Sequence, residues 1–198
     1  MKVGVLALQG DVREHIAALL SCGVDAVAVR RDHEIESIDA LVLPGGESTT
    51  IAQLAEFFGI FEQIKNKIQN GLPVYGSCAG MILLADQILD AKEGQKSFGG
   101  LDITVRRNAF GRQVDSFESD ITFNDGSAEL IRAVFIRAPW VEKVAGSVQV
   151  LAAIDSHPVA VRSETALATS FHPEITGDNR IHRYFIEQVA RPALLKVK

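Results

Sequence analysis

Short apolar runs alternate with helical stretches in the first half of the chain. The apolar runs, which are typical of buried parallel strands, cover residues 3–8, 24–29, 40–43 and 73–75. Between them, apolar residues recur at helical spacing over residues 12–20, 51–58 and 61–68. Asp11 is a candidate N-cap for the first helix, and Gly23 ends it. This alternation predicts a mostly parallel sheet with helices on both faces.

The second half is richer in short strands. Strand-like stretches cover residues 101–105, 120–123, 133–136, 148–154, 159–162 and 166–171. We expect some of them to form antiparallel edge strands or a small side sheet. The segment Asp90–Gly100 is polar and contains glycines, which indicates a surface connection. A final helix carries Ile181, Phe185 and Val189 on one face.

The composition indicates a globular protein and argues against one class of function, nucleic-acid binding. The chain has 198 residues, of which 47% are hydrophobic and 23% charged, as in ordinary globular proteins. No linker, repeat or low-complexity tract is visible, so we predict one domain over residues 1–198. The net charge of −5 argues against general nucleic-acid binding.

Cysteine usage and the N-terminus predict the compartment. The two cysteines, Cys22 and Cys78, are too few for a disulfide framework or a zinc cluster and suit a reducing compartment. The apolar N-terminal run is too short for a membrane span and has no cleavage pattern. We therefore expect a cytoplasmic protein.

The strongest chemical signal lies around Cys78. Gly76-Ser77-Cys78-Ala79-Gly80 joins an apolar strand to the helical pattern Met81–Ala85, so the chain is predicted to turn from strand to helix at Cys78. This is the glycine spacing of the G-x-S-x-G nucleophile elbow, with cysteine in place of serine. A cysteine there would lie at a helix N-terminus, which favours thiolate, and the N–H of Ala79 would face an oxyanion formed by its attack.

The helix N-terminus alone does not activate Cys78. It stabilises a nearby anion by about 0.3–1 kcal/mol, whereas one pKa unit corresponds to about 1.4 kcal/mol. A catalytic Cys78 therefore needs a further partner, and histidine is the residue type expected. The alternative is a buried, unreactive cysteine, which is common in protein cores.

A glycine-containing loop, Pro44–Thr50, follows the third predicted strand. Gly45 and Gly46 allow backbone N–H groups to point at a ligand, and a helix begins directly after them. Ligands of open α/β sheets bind beyond the carboxyl ends of the strands, so this loop and Cys78 are predicted to face one cleft. The alternative is a plain turn in which Ser48 caps the helix.

Five histidines compete as the partner of Cys78. Three are weaker candidates by position: His15 within the first predicted helix, His33 in a charged loop, and His182 in the last helix, where we expect a solvated side chain. The other two precede prolines, which favour extended backbone.

Of those two, His172 is a stronger candidate than His157. Residues i and i+2 of an extended chain point to the same side, so Glu174 is predicted to lie beside His172 and to fix its tautomer. His157 has no carboxylate two residues later. For either histidine the alternative is a surface residue in a turn.

Several motifs carry a resemblance to known families. Those that resemble the class I, or triad, glutamine amidotransferases are Pro44–Ser48, Gly76–Gly80 and Phe171–Glu174. Those that look like the glutaminase subunits of pyridoxal 5′-phosphate synthases in particular are Gly4–Gly10, Arg107–Phe117 and Val134–Pro139. The resemblance runs from Val3 to the last helix, with no recognised motif in Asp90–Gly100. We therefore expect a three-layer, flavodoxin-like α/β fold.

The resemblance implies an activity. Glutamine would be hydrolysed to glutamate, and the ammonia would pass to a synthase subunit that builds pyridoxal 5′-phosphate from a pentose phosphate and a triose phosphate. In this family the glutaminase is poorly active until the synthase docks, and the assembly is a large ring of synthase subunits decorated with glutaminase subunits. The implied catalytic residues are Cys78, His172 and Glu174. This chemistry needs no metal or organic cofactor.

The resemblance also implies which residues contact the substrate and the partner. The expected glutamine contacts are Gly46, Glu47, Ser48, Arg107, Ile136 and Arg137. An arginine suits the α-carboxylate and a carboxylate the α-ammonium, although from the sequence alone both arginines would be ordinary surface charge. The oxyanion is expected to bind N–H groups of Gly46 and Ala79. Gln9 and Gly10 are expected to face the synthase.

Two rival functions stay open at this point. A DJ-1-like cysteine protein, acting in redox sensing or carbonyl detoxification, also carries an elbow cysteine but does not need the His172-Pro173-Glu174 motif. The second rival is a catalytically dead subunit that only binds glutamine, which the intact set of Cys78, His172 and Glu174 argues against.

Overall fold

The computed structural model describes residues 1–109 and 116–196. Its strands are β1 Lys2–Leu6, β2 Asp25–Val29, β3 Ala40–Leu43, β4 Val74–Ser77, β5 Ala85–Leu89, β6 Leu101–Arg106, β7 Ser116–Ile121, β8 Ile131–Ile136, β9 Trp140–Val144, β10 Gln149–Ile154, β11 His157–Arg162 and β12 Ala166–Thr169. Its helices are α1 Val12–Ser21, α2 Asp32–Glu36, α3 Ser48–Phe57, α4 Phe61–Gln69, α5 Ala79–Leu84, α6 Arg180–Tyr184 and α7 Arg191–Lys196. A 3₁₀ turn covers Pro173–Ile175, and a π-helical segment, Phe185–Ala190, joins α6 to α7. No helix in the described ranges is long and apolar enough to cross a membrane.

A seven-stranded sheet in the order β10-β11-β12-β4-β3-β1-β2 lies at the centre. Strands β2, β1, β3, β4 and β12 run parallel, and β11 and β10 extend one edge antiparallel. Two smaller sheets, β5-β6-β9 and β7-β8, lie outside it. The predicted combination of a parallel centre with antiparallel edge strands and side sheets is therefore confirmed.

Each face of the central sheet carries its own apolar core. Leu41 and Leu43 of β3 pack into the core that contains residues of α3, α4 and α5. The alternate residue Val42 packs into the opposite core with Leu19 of α1 and with the C-terminal helical segments. The predicted stripe of the last helix, at Ile181, Phe185 and Val189, is fully buried there. Helices on both faces are thus confirmed.

Several elements differ from the sequence prediction. Strand β5 begins at Ala85, where the helix after Cys78 was expected to continue, and neither β9 nor α2 was expected. The segment Asp90–Gly100 forms a connection, as predicted, yet its Phe98 is fully buried and packs on Phe61. Residues 110–115 of the predicted motif Arg107–Phe117 lie outside the described residues.

The parallel strands bring distant segments of the chain together. The carboxyl ends of β12, β4, β3 and β1 lie side by side because these strands are neighbours in that order. They lead respectively into His172, Cys78, the Gly45-Gly46 loop and Gln9. The paired registers Thr169 with Ser77 and Leu43 with Gly76 keep these ends level. The cleft expected at this edge of the sheet therefore has its residues in place.

Glycines at positions 76 and 80 let α5 pack directly on the sheet. A Cβ on Gly80 would lie 2.2 Å from the carbonyl oxygen of Leu43, and a Cβ on Gly76 would lie 2.4 Å from the carbonyl carbon of Gly80. Both distances are far shorter than van der Waals contact. Glycine at both flanks of Cys78 therefore has a steric reason.

We predict that Gly80→Ala destabilises the protein. Alanine improves helix propensity by about 1 kcal/mol, but overpacking typically costs about 1–3 kcal/mol. Here the contacted atom belongs to the backbone of Leu43 and cannot rotate away. The free energy of unfolding from urea denaturation should fall by about 2 kcal/mol.

Gly146→Ala is the matched control, because a Cβ at Gly146 would meet nothing within 4 Å. It should change the free energy of unfolding by less than about 0.5 kcal/mol. Equal effects of the two substitutions would contradict the packing argument.

Candidate active site

Cys78 lies at the sharp turn between β4 and α5. Its φ of 48° and ψ of −99° belong to a region that residues with a side chain rarely adopt. Its N–H donates to the carbonyl of Thr169 on the neighbouring β12 at 2.8 Å. The residue is 6% exposed, and its Sγ lies 3.8 Å from the carbonyl oxygen of Ile136. The predicted elbow geometry at Cys78 is confirmed.

Cys78 faces a cavity of about 340 Å³. The residues lining it that the sequence predicted are Gln9, Gly46, Glu47, Ser48, Cys78, Ala79, Arg107, Ile136, Arg137 and His172. The lining residues that it did not predict are Asp11, Ile82, Lys92 and Asn108. Gly10 and Glu174 do not line the cavity, and Glu174 lies behind His172. The sequence thus predicted most of the residues that line this cavity.

His172 lies between two carboxylates and the thiol. Its Nδ1 is 2.8 Å from Oε1 of Glu174 and 3.3 Å from Oδ2 of Asp11. Burial opposes protonation of the ring, but hydrogen bonds with Asp11, Cys78 and Glu174 outweigh burial and raise the pKa of His172. Because Nδ1 faces the carboxylates, Nε2 is left to face the thiol. The arrangement favours an imidazolium at His172, beside Cys78.

Asp11 and Glu174 both reach His172 by unexpected routes. Asp11 precedes α1 at the N-cap position, but its side chain makes no capping hydrogen bond and turns to His172 instead. Glu174 contacts His172 as predicted, but the reason given was wrong, because the 3₁₀ turn Pro173–Ile175, and not extended chain, curls it back. Burial raises the pKa of Glu174, and the hydrogen bond with His172 lowers it.

The structure also settles where two other histidines lie. The ring of His157 stacks on Trp140 with centroids 3.7 Å apart and does not line the cavity. The expectation that His182 is solvated was wrong, because His182 is fully buried against His15. Helical spacing could have indicated a buried His15, since it lies four residues before the buried Leu19.

Glu47 both caps α3 and pairs with an arginine. Its Oε2 accepts hydrogen bonds from the N–H of Thr50 at 2.8 Å and from the hydroxyl of Thr50 at 3.0 Å. The cap of α3 is therefore Glu47, and the alternative of a Ser48 cap was wrong. Burial opposes ionisation, but the Thr50 hydrogen bonds and the charge of Lys92 lower the pKa of Glu47 to about 2. Its Oε1 lies 3.1 Å from Nη2 of Arg107.

Arg107 is held from two sides. It is 9% exposed, so the alternative of ordinary surface charge was wrong for this residue. Its Nη1 donates to Oε1 of Gln95 at 2.9 Å, and the same oxygen accepts from the hydroxyls of Thr49 at 2.8 Å and Ser48 at 3.3 Å. The segment Asp90–Gly100 thus supplies a residue at the site. The sequence missed Gln95 because a single glutamine in a polar loop carries no motif.

Strained backbone concentrates around the cavity. Asn108 with φ 46° and Arg137 with φ 43° join Cys78 among the lining residues with left-handed backbone. Such conformations cost about 1–3 kcal/mol and cluster at functional sites. Arg137 is exposed, unlike Arg107, so its side chain lies at the mouth of the cavity.

The side chain of Gln9 lines the cavity. Its Oε1 accepts from the backbone N–H of Glu47 at 2.8 Å. A Cβ on Gly46 would lie 2.5 Å from the same oxygen. Gly10, with φ +112°, packs so closely that a Cβ there would meet the carbonyl oxygen of Gly45. The segment Gln9-Gly10 is therefore packed against the loop that was predicted to bind the oxyanion.

One cluster has the spacing of a metal site. Asp11, His172 and Glu174 offer ligand atoms within 4.8 Å of one another. The Nδ1 of His172 already lies at hydrogen-bonding distance from Glu174. Hydrogen bonding among the three side chains therefore accounts for the cluster.

Comparison with known proteins identifies relatives along nearly the whole chain. The model of the SNO glutamine amidotransferase family matches residues 5–191. A curated relative from Mycobacteroides abscessus, named pyridoxal 5′-phosphate synthase subunit PdxT, is 58% identical over 187 residues, which cover 94% of this chain and 96% of the relative. The protein of the same name from Streptomyces coelicolor is 56% identical over 187 residues, which cover 94% of this chain and 93% of that protein.

Solved structures agree with this assignment. A crystal structure of a glutamine amidotransferase superposes with a TM-score of 0.87 at 48% identity, covering 94% of this chain and 97% of that chain. The PurLQS structure from Thermotoga maritima, with a TM-score of 0.64 at 17% identity, covers 100% of this chain and 98% of that chain and shares the fold. These matches do not support the DJ-1-like alternative. The chain belongs to the SNO glutamine amidotransferase family.

Proposed function

We propose that this chain hydrolyses L-glutamine to L-glutamate and ammonia and delivers the ammonia to a synthase subunit that makes pyridoxal 5′-phosphate. The observation that carries the proposal is a strained Cys78 facing a cavity beside the buried pair of His172 and Glu174. A family match over residues 5–191 supports the same activity. Residues 1–198 act as one glutaminase domain in this proposal.

The chemistry begins with the thiolate of Cys78. It attacks the side-chain amide carbon of glutamine, and the C–N bond of the tetrahedral intermediate then breaks as His172 gives its proton to the leaving ammonia. The remaining thioester is attacked by water, whose proton His172 accepts. Glutamate leaves and Cys78 returns to its starting state. Glu174 keeps His172 in the tautomer and orientation that both proton transfers need.

The oxyanion of the tetrahedral intermediate needs donors that are already in place. Ala79 is the first residue of α5, so its N–H has no acceptor within the helix. Gly46 would supply the second donor from the loop across the cavity. The side-chain oxygen of Gln9 accepts a hydrogen bond from the N–H of Glu47, the residue that follows Gly46. In this proposal the Gln9 contact couples the oxyanion loop to the surface segment at Gly10.

Charged side chains in the cavity suit the amino-acid end of glutamine. The guanidinium of Arg107 would bind the α-carboxylate, and Glu47, whose pKa is lowered to about 2, would bind the α-ammonium. Ser48, Ile136 and Arg137 are the other lining residues proposed to contact the substrate.

The partner is proposed from the relatives' name. Those proteins are subunits of pyridoxal 5′-phosphate synthase, so we infer that this chain docks on a PdxS-type synthase subunit through Gln9 and Gly10 in a large ring assembly. Both cysteines, Cys22 and Cys78, are unpaired, which suits a reducing cytoplasm.

The proposed activity predicts a specific pattern for Cys78→Ala. Glutamate release from glutamine should be low for the wild-type chain alone, rise strongly with a synthase subunit added, and vanish in Cys78→Ala under both conditions. Synthesis of pyridoxal 5′-phosphate from added ammonium should persist in the complex with Cys78→Ala, because the partner needs only ammonia.

Each other outcome has a distinct meaning. Robust wild-type activity without partner would overturn the coupling to docking. No glutamate release in either condition would overturn the glutaminase function. Loss of ammonium-dependent synthesis with Cys78→Ala would show that the substitution damages the complex itself.

The role of Arg107 predicts a substrate-specific defect. Arg107→Met should raise KM for glutamine by roughly tenfold to a hundredfold, the equivalent of about 1.5–3 kcal/mol for a charge-assisted hydrogen bond. The variant should also lose the preference of the enzyme for glutamine over an analogue that lacks the α-carboxylate. Arg132→Met is a matched control, because the ion pairs of Arg132 within the described part of the chain are with exposed carboxylates on β7. A similar rise in KM for both variants would contradict a binding role for Arg107.

A further inference from the structure

Two buried histidines lie behind the catalytic residues, and the proposed mechanism does not use them. His15 on α1 and His182 on α6 are both fully buried. Nδ1 of His15 is 2.9 Å from Nε2 of His182. Nε2 of His15 is 3.0 Å from the hydroxyl of Ser77 and 3.6 Å from Oε2 of Glu174. The pair therefore forms a line of rings that ends at the proposed orienting carboxylate.

Burial favours the neutral form of both rings. Burial, together with the nearby rings of His182 and His172, lowers the pKa of His15 well below its usual value. Burial also lowers the pKa of His182 to about 4. A neutral imidazole has one N–H and one acceptor nitrogen, so the contact between the two rings requires one donor and one acceptor.

The surroundings select one direction for these hydrogen bonds. Nδ1 of His182 is buried without a hydrogen-bond partner among the described residues. At Nδ1 of His182, a buried N–H without an acceptor would cost more free energy than a buried nitrogen lone pair without a donor. The proton of His182 therefore lies on Nε2, and this N–H donates to Nδ1 of His15. The proton of His15 then lies on Nε2, the nitrogen that faces Ser77 and Glu174.

Glu174 needs such a donor. Its Oε1 is bonded by His172, but its Oε2 is buried and has no partner within hydrogen-bond distance among the described residues. The nearby Tyr75 is already committed, since Tyr75 pairs with the hydroxyl of Thr169 at 2.9 Å, and that hydroxyl in turn donates to the carbonyl of Phe171. The Nε2–H of His15 donates to the hydroxyl of Ser77 at 3.0 Å and lies 3.6 Å from the unpaired oxygen, close enough to act on it electrostatically.

We propose that His15 is a positioning residue whose Nε2–H, hydrogen-bonded to Ser77 and 3.6 Å from Oε2 of Glu174, favours the ionised carboxylate and its orientation toward His172. This inference rests on the glutaminase function proposed above. His182 contributes by fixing the tautomer of His15.

The expected pH effect follows from the groups that face Glu174. These are His172 and Asp11 on the cavity side, His15 on α1 and Tyr75 on β4. His172 stabilises the carboxylate, whereas Asp11 and burial destabilise it. Loss of the His15 donor would make Glu174 bind a proton at higher pH, which weakens the imidazolium of His172 and the thiolate of Cys78. The acid limb of Cys78 reactivity should therefore move to higher pH.

The test compares His15→Gln with His15→Asn. A glutamine side chain at position 15 can place an N–H where Nε2 of His15 lies. The shorter asparagine side chain reaches only the position of Nδ1, which faces His182. The rate of Cys78 alkylation by iodoacetamide is measured across pH, and kcat and KM for glutamine are measured with the synthase subunit present. His15→Asn should move the acid limb upward by about half a pH unit or more and lower kcat roughly tenfold with little change in KM. His15→Gln should stay close to wild type in both measurements.

A structural control separates positioning from folding. Leu19→Val, one turn along the same helix and fully buried, should reduce stability without moving the acid limb. Equal acid limbs in wild type, His15→Gln and His15→Asn would overturn the proposal, as would an equal shift in Leu19→Val. Because alkylation needs no glutamine, a wild-type chain that releases no glutamate would refute the proposed function while leaving this test of His15 intact.

Discussion

The backbone contact between α5 and the carbonyl of Leu43 determines where Cys78 lies. Only a glycine at position 80 allows the helix to approach β3 this closely, and Gly76 accommodates the same approach from β4. With the helix pressed against the sheet, the connecting residue has to adopt a φ of 48°. The strain at Cys78 is therefore maintained by packing on both sides of it, and the thiol is fixed at the edge where the parallel strands end.

The placement of β12 beside β4 brings Cys78 the histidine partner that it needs. A helix N-terminus alone stabilises a thiolate by less than one pKa unit, about 1.4 kcal/mol. The parallel pairing of Thr169 with Ser77 brings His172 to the same edge, and the following 3₁₀ turn folds Glu174 back onto it. The proximity of Cys78, His172 and Glu174 is thus a product of sheet topology, and the fully buried ring of His15 lies behind Glu174.

Much of this arrangement could be predicted from the sequence, because it depends on local patterns. The strands and helices of the first half follow apolar periodicity, and glycine spacing marks the elbow. What the sequence missed depends on contacts between distant segments. Gln95 bonds Arg107 from an irregular loop, and the buried His182 pairs with His15 on another helix. No local rule favours burying a polar side chain until its partner is known.

In the proposed mechanism, His172 activates Cys78 toward the amide carbon of glutamine. The most direct measurement is covalent labelling by a diazoketone analogue of glutamine, followed by peptide mass spectrometry with the synthase subunit present. We expect one adduct, on Cys78, which excess glutamine suppresses and which forms far more slowly in His172→Ala. Labelling of Cys22 instead, or labelling of Cys78 at the same rate in His172→Ala, would contradict it.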